Sequence, residues 1–107
     1  AFPLWLAPTQ VKILPITDNQ HEYAHKLEEE FMKKGIRVEV DDRNEKTGYK
    51  IREAQLEKVP YMIVIGTKEV EEGTVSVRSR KSGDEGSMPK KAFIDRVIVE
   101  NDSRKLT

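Results

Sequence analysis

A chain of 107 residues with 36% hydrophobic content has room for one domain and one core. Its 19 basic and 19 acidic side chains cancel, but residues 1–42 carry −3 and residues 43–107 carry +3. That excludes a uniformly basic coat for nucleic acid and leaves a local basic surface, densest at Arg78-Ser79-Arg80-Lys81. A mean hydropathy of −0.67 with no long apolar run excludes a transmembrane helix. With no cysteine there is no disulfide framework, thiolate metal site or thiol nucleophile.

The opening run Ala1–Pro8 lacks a basic n-region and holds two prolines, so it does not read as a signal peptide. A chain that begins with Ala reads as a piece of something longer. Phe2 and Trp5, flanked by prolines, read as a tether in preference to base-stacking rings. Val11–Ile16 is short and β-branched, with Pro15 marking a strand terminus. Thr17, Asp18 and Asn19 supply N-cap chemistry, with Gln20 as a capping-box partner. A helix follows to about Lys34, with Tyr23, Ala24, Leu27 and Phe31 at helical spacing and Gly35 as its stop. Ile36–Val40 alternates as a second strand, which completes a right-handed parallel crossover.

Asp41–Gly48 is a polar loop, and Tyr49–Lys58 reads as a helix with a poorly defined apolar face. After Pro60, Tyr61–Ile65 is the most apolar run and the expected central strand. Gly66–Gly73 is too short for a parallel crossover of about a dozen residues, so Thr74–Arg78 must lie antiparallel to it. A glycine-bearing loop over Ser82–Gly86, a short extra strand near Ser87 and a helix opened by Pro89 and carrying Phe93, Ile94 and Val97 follow. Residues 1–10 read as an N-terminal tether, and those after Val99 as a frayed tail. The fold class is α/β, a single domain over 1–107 with helices on both faces of a mixed sheet.

Two motifs are decoys. His21-Glu22-Tyr23-Ala24-His25 matches the zinc-peptidase pattern H-E-x-x-H. At 100° per residue the two imidazoles fall roughly 105° and 145° from an apolar face centred near Leu27, and no third histidine completes a site. They read as a surface pair. Gly83-Asp84-Glu85-Gly86-Ser87 lacks the Lys-Ser/Thr ending of a phosphate-binding loop and reads as a turn. Glu28-Glu29-Glu30 reads as a solvated helix face.

Ligands of open α/β sheets favour the carboxyl ends of parallel strands. Here those loops are Thr17-Asp18-Asn19, Asp41–Thr47 and Gly66–Glu69. The middle one places Arg43, Asn44 and Lys46 just before a helix N-terminus, where exposed N–H groups attract phosphate. In the following strand Val75 and Val77 point one way, while Thr74, Ser76, Arg78 and Arg80 point the other. Such a face suits a polyanion, or equally an edge strand blunted by charge.

The opening Leu6-Ala7-Pro8 with Gln10-Val11, the Asp41-Asp42-Arg43 run with Gly48, and the series Arg43-Asn44-Glu45-Lys46, Gly48–Glu53, Pro60-Tyr61-Met62, Lys68–Glu71 and Gly86-Ser87-Met88 go further. Together they resemble the C-terminal anticodon-binding domain of class II aminoacyl-tRNA synthetases, most closely the threonyl branch. The resemblance extends to about Val97. It implies a three-layer α/β/α fold in which three helices flank a mixed five-stranded sheet.

It also implies that this chain carries no catalytic site and no cofactor. Family members adenylate threonine with ATP in a separate core, which holds magnesium and zinc and forms most of a homodimer contact. The implied partners are that core and the anticodon loop of tRNA(Thr), in the cytoplasm, with neither membrane nor DNA. The invariant letters of threonine anticodons are the middle G and the third U. A carboxylate matches the N1–H and N2–H donors of guanine, and arginine donates to carbonyl acceptors. By resemblance Glu69 and Arg78 read those bases, Asn44 makes another contact, and Arg43, Lys46 and Arg52 meet phosphates or neighbouring bases. Arg78 lies about 13 Å into its strand, so it and Glu69 converge only on RNA lying across the sheet. The alternatives are the equivalent domain of a prolyl, glycyl or histidyl enzyme, or a protein-interaction module of the same fold that binds no RNA.

Overall fold

The computed structural model describes residues 3–103; Phe2 and residues 104–107 of the expected tail lie outside the described residues. Along the chain run β1 (Val11–Pro15), α1 (His21–Lys33), β2 (Val38–Val40), α2 (Thr47–Leu56), β3 (Tyr61–Ile65), α3 (Thr67–Glu72), β4 (Thr74–Ser79), β5 (Gly83–Pro89) and α4 (Lys90–Ser103). The strands form one sheet in the order β2-β1-β3-β4-β5. β1 is parallel to β2 and β3, whereas β4 is antiparallel to β3 and β5.

Strand order dictates where the helices go. The chain steps from β1 out to β2, then returns past β1 to β3, and right-handed crossovers in opposite directions place their helices on opposite faces. Val11, Ile13, Tyr61, Ile63, Ile65, Val75 and Val77 accordingly pack with Ala24, Leu27 and Phe31 of α1 and with Phe93, Ile94 and Val97 of α4. On the other face Leu14 and Met62 form a smaller cluster with Val59 and with Ala54 of α2. α2 rests on β1, so this face of β4 and β5 has no helix over it.

The expected mixed five-stranded sheet and its three flanking helices are present, with α3 as a fourth helix where a loop was expected. It is six residues long and ends at Gly73, whose φ of 68° suits the position after a helix. β5 is seven residues long, against the short strand expected near Ser87. Its Gly-Asp-Glu-Gly-Ser composition has low strand propensity, and pairing with β4 around a bulge at Val77/Arg78 overrides it. α2 begins at Thr47, two residues earlier than expected, and buries Lys50 beside Ala54, which explains why its apolar stripe was hard to see.

The C-terminal end is better anchored than expected. α4 continues to Ser103 where fraying was expected. Tyr61 Oη donates to Glu100 Oε1 (2.5 Å), and Gln10 Nε2 donates to Asn101 Oδ1 (2.8 Å). Burial and then the Glu100 contact push the Tyr61 phenol up to about 12. At the other end Leu4 and Ala7 are buried, and the Arg37 guanidinium donates to the carbonyls of Trp5 and Ala7.

Phe93 joins the helices to the central strand. It is fully buried and meets Phe31 and Tyr61 edge-on, at centroid distances of 6.0 and 5.5 Å. Phe93→Ala is expected to cost about 3–5 kcal/mol, a large share of the roughly 5–15 kcal/mol typical of a domain. Urea unfolding checks this, and an unchanged midpoint contradicts it.

Candidate nucleic-acid interface

The uncovered face is polar because of its register. Across β3 and β4, Val64 pairs with Ser76 and Met62 with Arg78; across β4 and β5, Ser76 pairs with Ser87 and Arg78 with Asp84. Directly opposed residues of antiparallel strands share a face, so Ser76, Arg78, Asp84 and Ser87 form a hydrogen-bonding row beside Met62 and Val64. β4 is paired on both sides, so its charges do not blunt an edge. The Arg78 side chain, 34% exposed, stands 3.8 Å from Asp84. Exposed pairs contribute only about 0–1 kcal/mol, so a ligand displaces this one at little cost. Arg80 departs from the row: β4 ends at Ser79, and Arg80 Nη1 donates to the Lys58 carbonyl (2.9 Å) beyond α2.

The carboxyl ends of β1, β2 and β3 meet at one rim because the three strands are parallel. Glu69 lies in the first turn of α3, where Oε1 accepts the Gly66 N–H at 2.7 Å. A Cβ at Gly66 would stand 3.1 Å from that oxygen and 2.9 Å from Ile16 Cδ1, so glycine permits the close approach. Among the described residues, Glu69 Oε2 has no hydrogen-bond partner.

The β2–α2 loop is fixed by a network around Asp41. Its carboxylate accepts from Arg43 Nε and Nη2, each at 2.8 Å, and Arg43 also pairs with Glu53 of α2 and stacks over Tyr49. The Arg43 guanidinium holds the Asp41 carboxyl below its ordinary value of 3.8. Beneath the loop lies Lys50, 2% exposed, whose Nζ donates to the carbonyls of Asp41 (2.9 Å) and Pro15 (3.3 Å). A groove of about 270 Å³ opens here between Thr17, Asn19 and His21 on one side and Arg43 and Asn44 on the other, and Lys50 also lines it.

The six residues singled out in the sequence divide among four elements. Arg43, Asn44 and Lys46 share the β2–α2 loop; Arg43 is occupied by carboxylates, whereas Asn44 and Lys46 are exposed. Glu69 stands in the first turn of α3 at the same rim. Arg52 is exposed on α2, and Arg78 lies back along β4 opposite Met62, about 13 Å from Gly66 at the usual strand rise. A ligand that touches both Glu69 and Arg78 must therefore lie along the sheet. Sequence reasoning missed Lys50, although its i−4 spacing from Ala54 places it on the inward side of α2.

His25 is half-exposed and engaged through both ring nitrogens, with Glu28 at 3.0 Å and Asp42 at 3.2 Å. Glu28 leads in raising its pKa above 6.5. Among the described residues, no group of three or more His, Cys, Asp or Glu side chains is placed to hold a metal ion.

A family model described as an anticodon binding domain matches residues 10–100. The chain belongs to the anticodon-binding domain family. It is similar to the threonine–tRNA ligase of Clostridium tetani, 61% identical over 97% of this chain and 16% of that one. It is 64% identical to the enzyme of Clostridium acetobutylicum over 94% and 16% of the two chains. The chain thus spans 16% of the length of these relatives. Among solved structures it is similar to the RNA binding domain of threonyl-tRNA synthetase from Cryptosporidium parvum, with TM-score 0.81 and 32% identity over 98% of this chain and 26% of that one. Prolyl-tRNA synthetase from the same organism gives TM-score 0.75 and 26% identity over 95% and 26%. Among members of the family, the resemblance to the threonyl branch therefore holds across nearly the whole chain.

The Asp41 network gives this anticodon-binding domain an acid-labile loop. A carboxyl held below its ordinary value stabilises the fold above 3.8, and that stabilisation is lost as pH falls through the folded value. Asp41→Asn is expected to cost about 1.5–3 kcal/mol near pH 7, the range for hydrogen bonds to a charged group. The gap between wild type and variant should narrow below about pH 3.8. Urea unfolding at both pH values checks this, and a gap independent of pH contradicts it.

Proposed function

We propose that this chain reads the anticodon loop of threonine tRNA, as the recognition module of a threonine–tRNA ligase. The observation that carries the reading is the Glu69 carboxylate, fixed by the Gly66 N–H at the sheet rim while Oε2 remains open. Each carboxylate oxygen has two lone pairs, so Oε1 can serve its cap and a base at once. In this reading Glu69 accepts from N1–H and N2–H of the middle guanine, and Arg78 donates to a carbonyl of the following uracil. Asn44 makes a further base contact, while Lys46 and Arg52 meet phosphates. Arg43, engaged with Asp41 and Glu53, contributes mainly by shaping the loop that presents Asn44.

Similarity of about 60% or more to threonine–tRNA ligases supports the choice of tRNA over that of the prolyl, glycyl or histidyl enzymes. The parent reaction, ATP-dependent charging of tRNA with threonine, is assigned to a separate core that holds ATP, magnesium and zinc and forms a cytoplasmic homodimer. No helix of the described residues is long and apolar enough to cross a membrane.

The test is a titration with a threonine anticodon stem-loop and a copy whose middle G is changed, using wild type and Glu69→Gln. Glutamine keeps an oxygen for the Gly66 N–H, whereas alanine would also remove the cap. Wild type should prefer the cognate loop by about 5- to 150-fold, the equivalent of one bidentate contact of roughly 1–3 kcal/mol, and Glu69→Gln should lose that preference. Equal binding of both loops by wild type contradicts base reading. Affinity insensitive to salt would instead indicate a protein-docking module.

A further inference from the structure

We infer that Lys50 is a positioning residue of the RNA site, whose buried ammonium holds the β1–α1 and β2–α2 loops together so that Asn44 faces the ligand. The inference rests on the RNA-reading function proposed above. A lysine almost wholly removed from water is costly unless its donors are satisfied, and among the described residues no carboxylate bonds it. Its hydrogen-bond acceptors are the carbonyls of Pro15 and Asp41, where β1 and β2 give way to the two loops. Parallel strands run out of ladder partners there, and one ammonium supplies donors to both chains from below.

Asp41 is the junction through which this contact reaches the loop. Its N–H donates to the Ile13 carbonyl (2.9 Å), its carbonyl accepts from Lys50, and its carboxylate holds Arg43. Asn44 follows directly. The ammonium has three donors and two protein acceptors, and Lys50 lines the groove between the loops, so one hydrogen remains for that groove. Lys50 thus differs from Lys46 and Arg52, whose exposed side chains suit phosphates.

Lys50→Met in the 107-residue chain tests this in two arms. Without RNA, the amide NMR signals of residues 42–46 should shift or broaden while those of β4 stay in place. With the cognate stem-loop, affinity should fall about fivefold to 150-fold, as expected when one base contact is lost. The salt slope should not change, and Asn44→Ala should cost little more in the Lys50→Met background because the two act as one unit. Lys50→Gln, which keeps two donors without the charge, should restore the loop signals.

Unchanged loop signals overturn the inference. So does a salt slope reduced by about one, the mark of a direct phosphate contact, and so do additive losses with Asn44→Ala. Failure of both Lys50 variants to fold makes Lys50 a general stability residue and also overturns it. If wild type binds no stem-loop, the RNA reading fails and Lys50 cannot be positioning an RNA site; the RNA-free arm then shows only whether it orders the loop.

Discussion

The reversal of strand order at β1 sets up the rest of the molecule. Stepping out to β2 and back to β3 forces α1 and α2 onto opposite faces and leaves two neighbouring loops diverging at the carboxyl rim. α1 and α4 bury one side of the sheet around Phe31 and Phe93. On the other side α2 packs on β1 and on Met62 of β3. A five-stranded sheet with one helix on that side retains an open surface over its outer strands, and the register fills it with Ser76, Arg78 and Ser87 instead of apolar side chains.

Charge on β1, at the rim and beneath it is largely spent inside the fold. Lys12 pairs with Glu39 and Glu57, Arg43 with Asp41 and Glu53, and Lys50 with two carbonyls. These contacts fix loops; they do not create long-range attraction, in keeping with a net charge of zero. In the proposed reading the groups that meet bases are few and distinct in kind, a carboxylate oxygen on Glu69, an amide on Asn44 and a guanidinium on Arg78, with exposed Lys46 and Arg52 left for phosphates. A surface of that sort selects by hydrogen-bond pattern more than by bulk electrostatics.

The apolar strands and α1 were legible because period and composition agree there: Val11–Ile16 and Tyr61–Ile65 are β-branched runs, and Tyr23, Ala24, Leu27 and Phe31 share a helix face. Antiparallel β4 followed from loop length alone. α3 was missed because six residues carry too little periodicity, and β5 because pairing with β4 outweighs a glycine-rich composition. Lys50 was hidden because a charged residue on a helix is normally read as solvated, and only the carbonyls beneath the loops reveal its burial. Alternation along β4 placed Arg78 on a polar face, and strand polarity placed Glu69 at the rim, but the proposed role of either in reading bases came from family resemblance.

The most direct test of the central claim, that the open face of β4 and β5 and its rim meet RNA, is amide chemical-shift mapping with the threonine anticodon stem-loop. The account predicts shifts at Gly66–Glu69, residues 42–46, Ser76, Arg78 and Ser87, with α1 and the outer surface of α4 unchanged. Shifts concentrated on α1 and α4, with the open face silent, would contradict it.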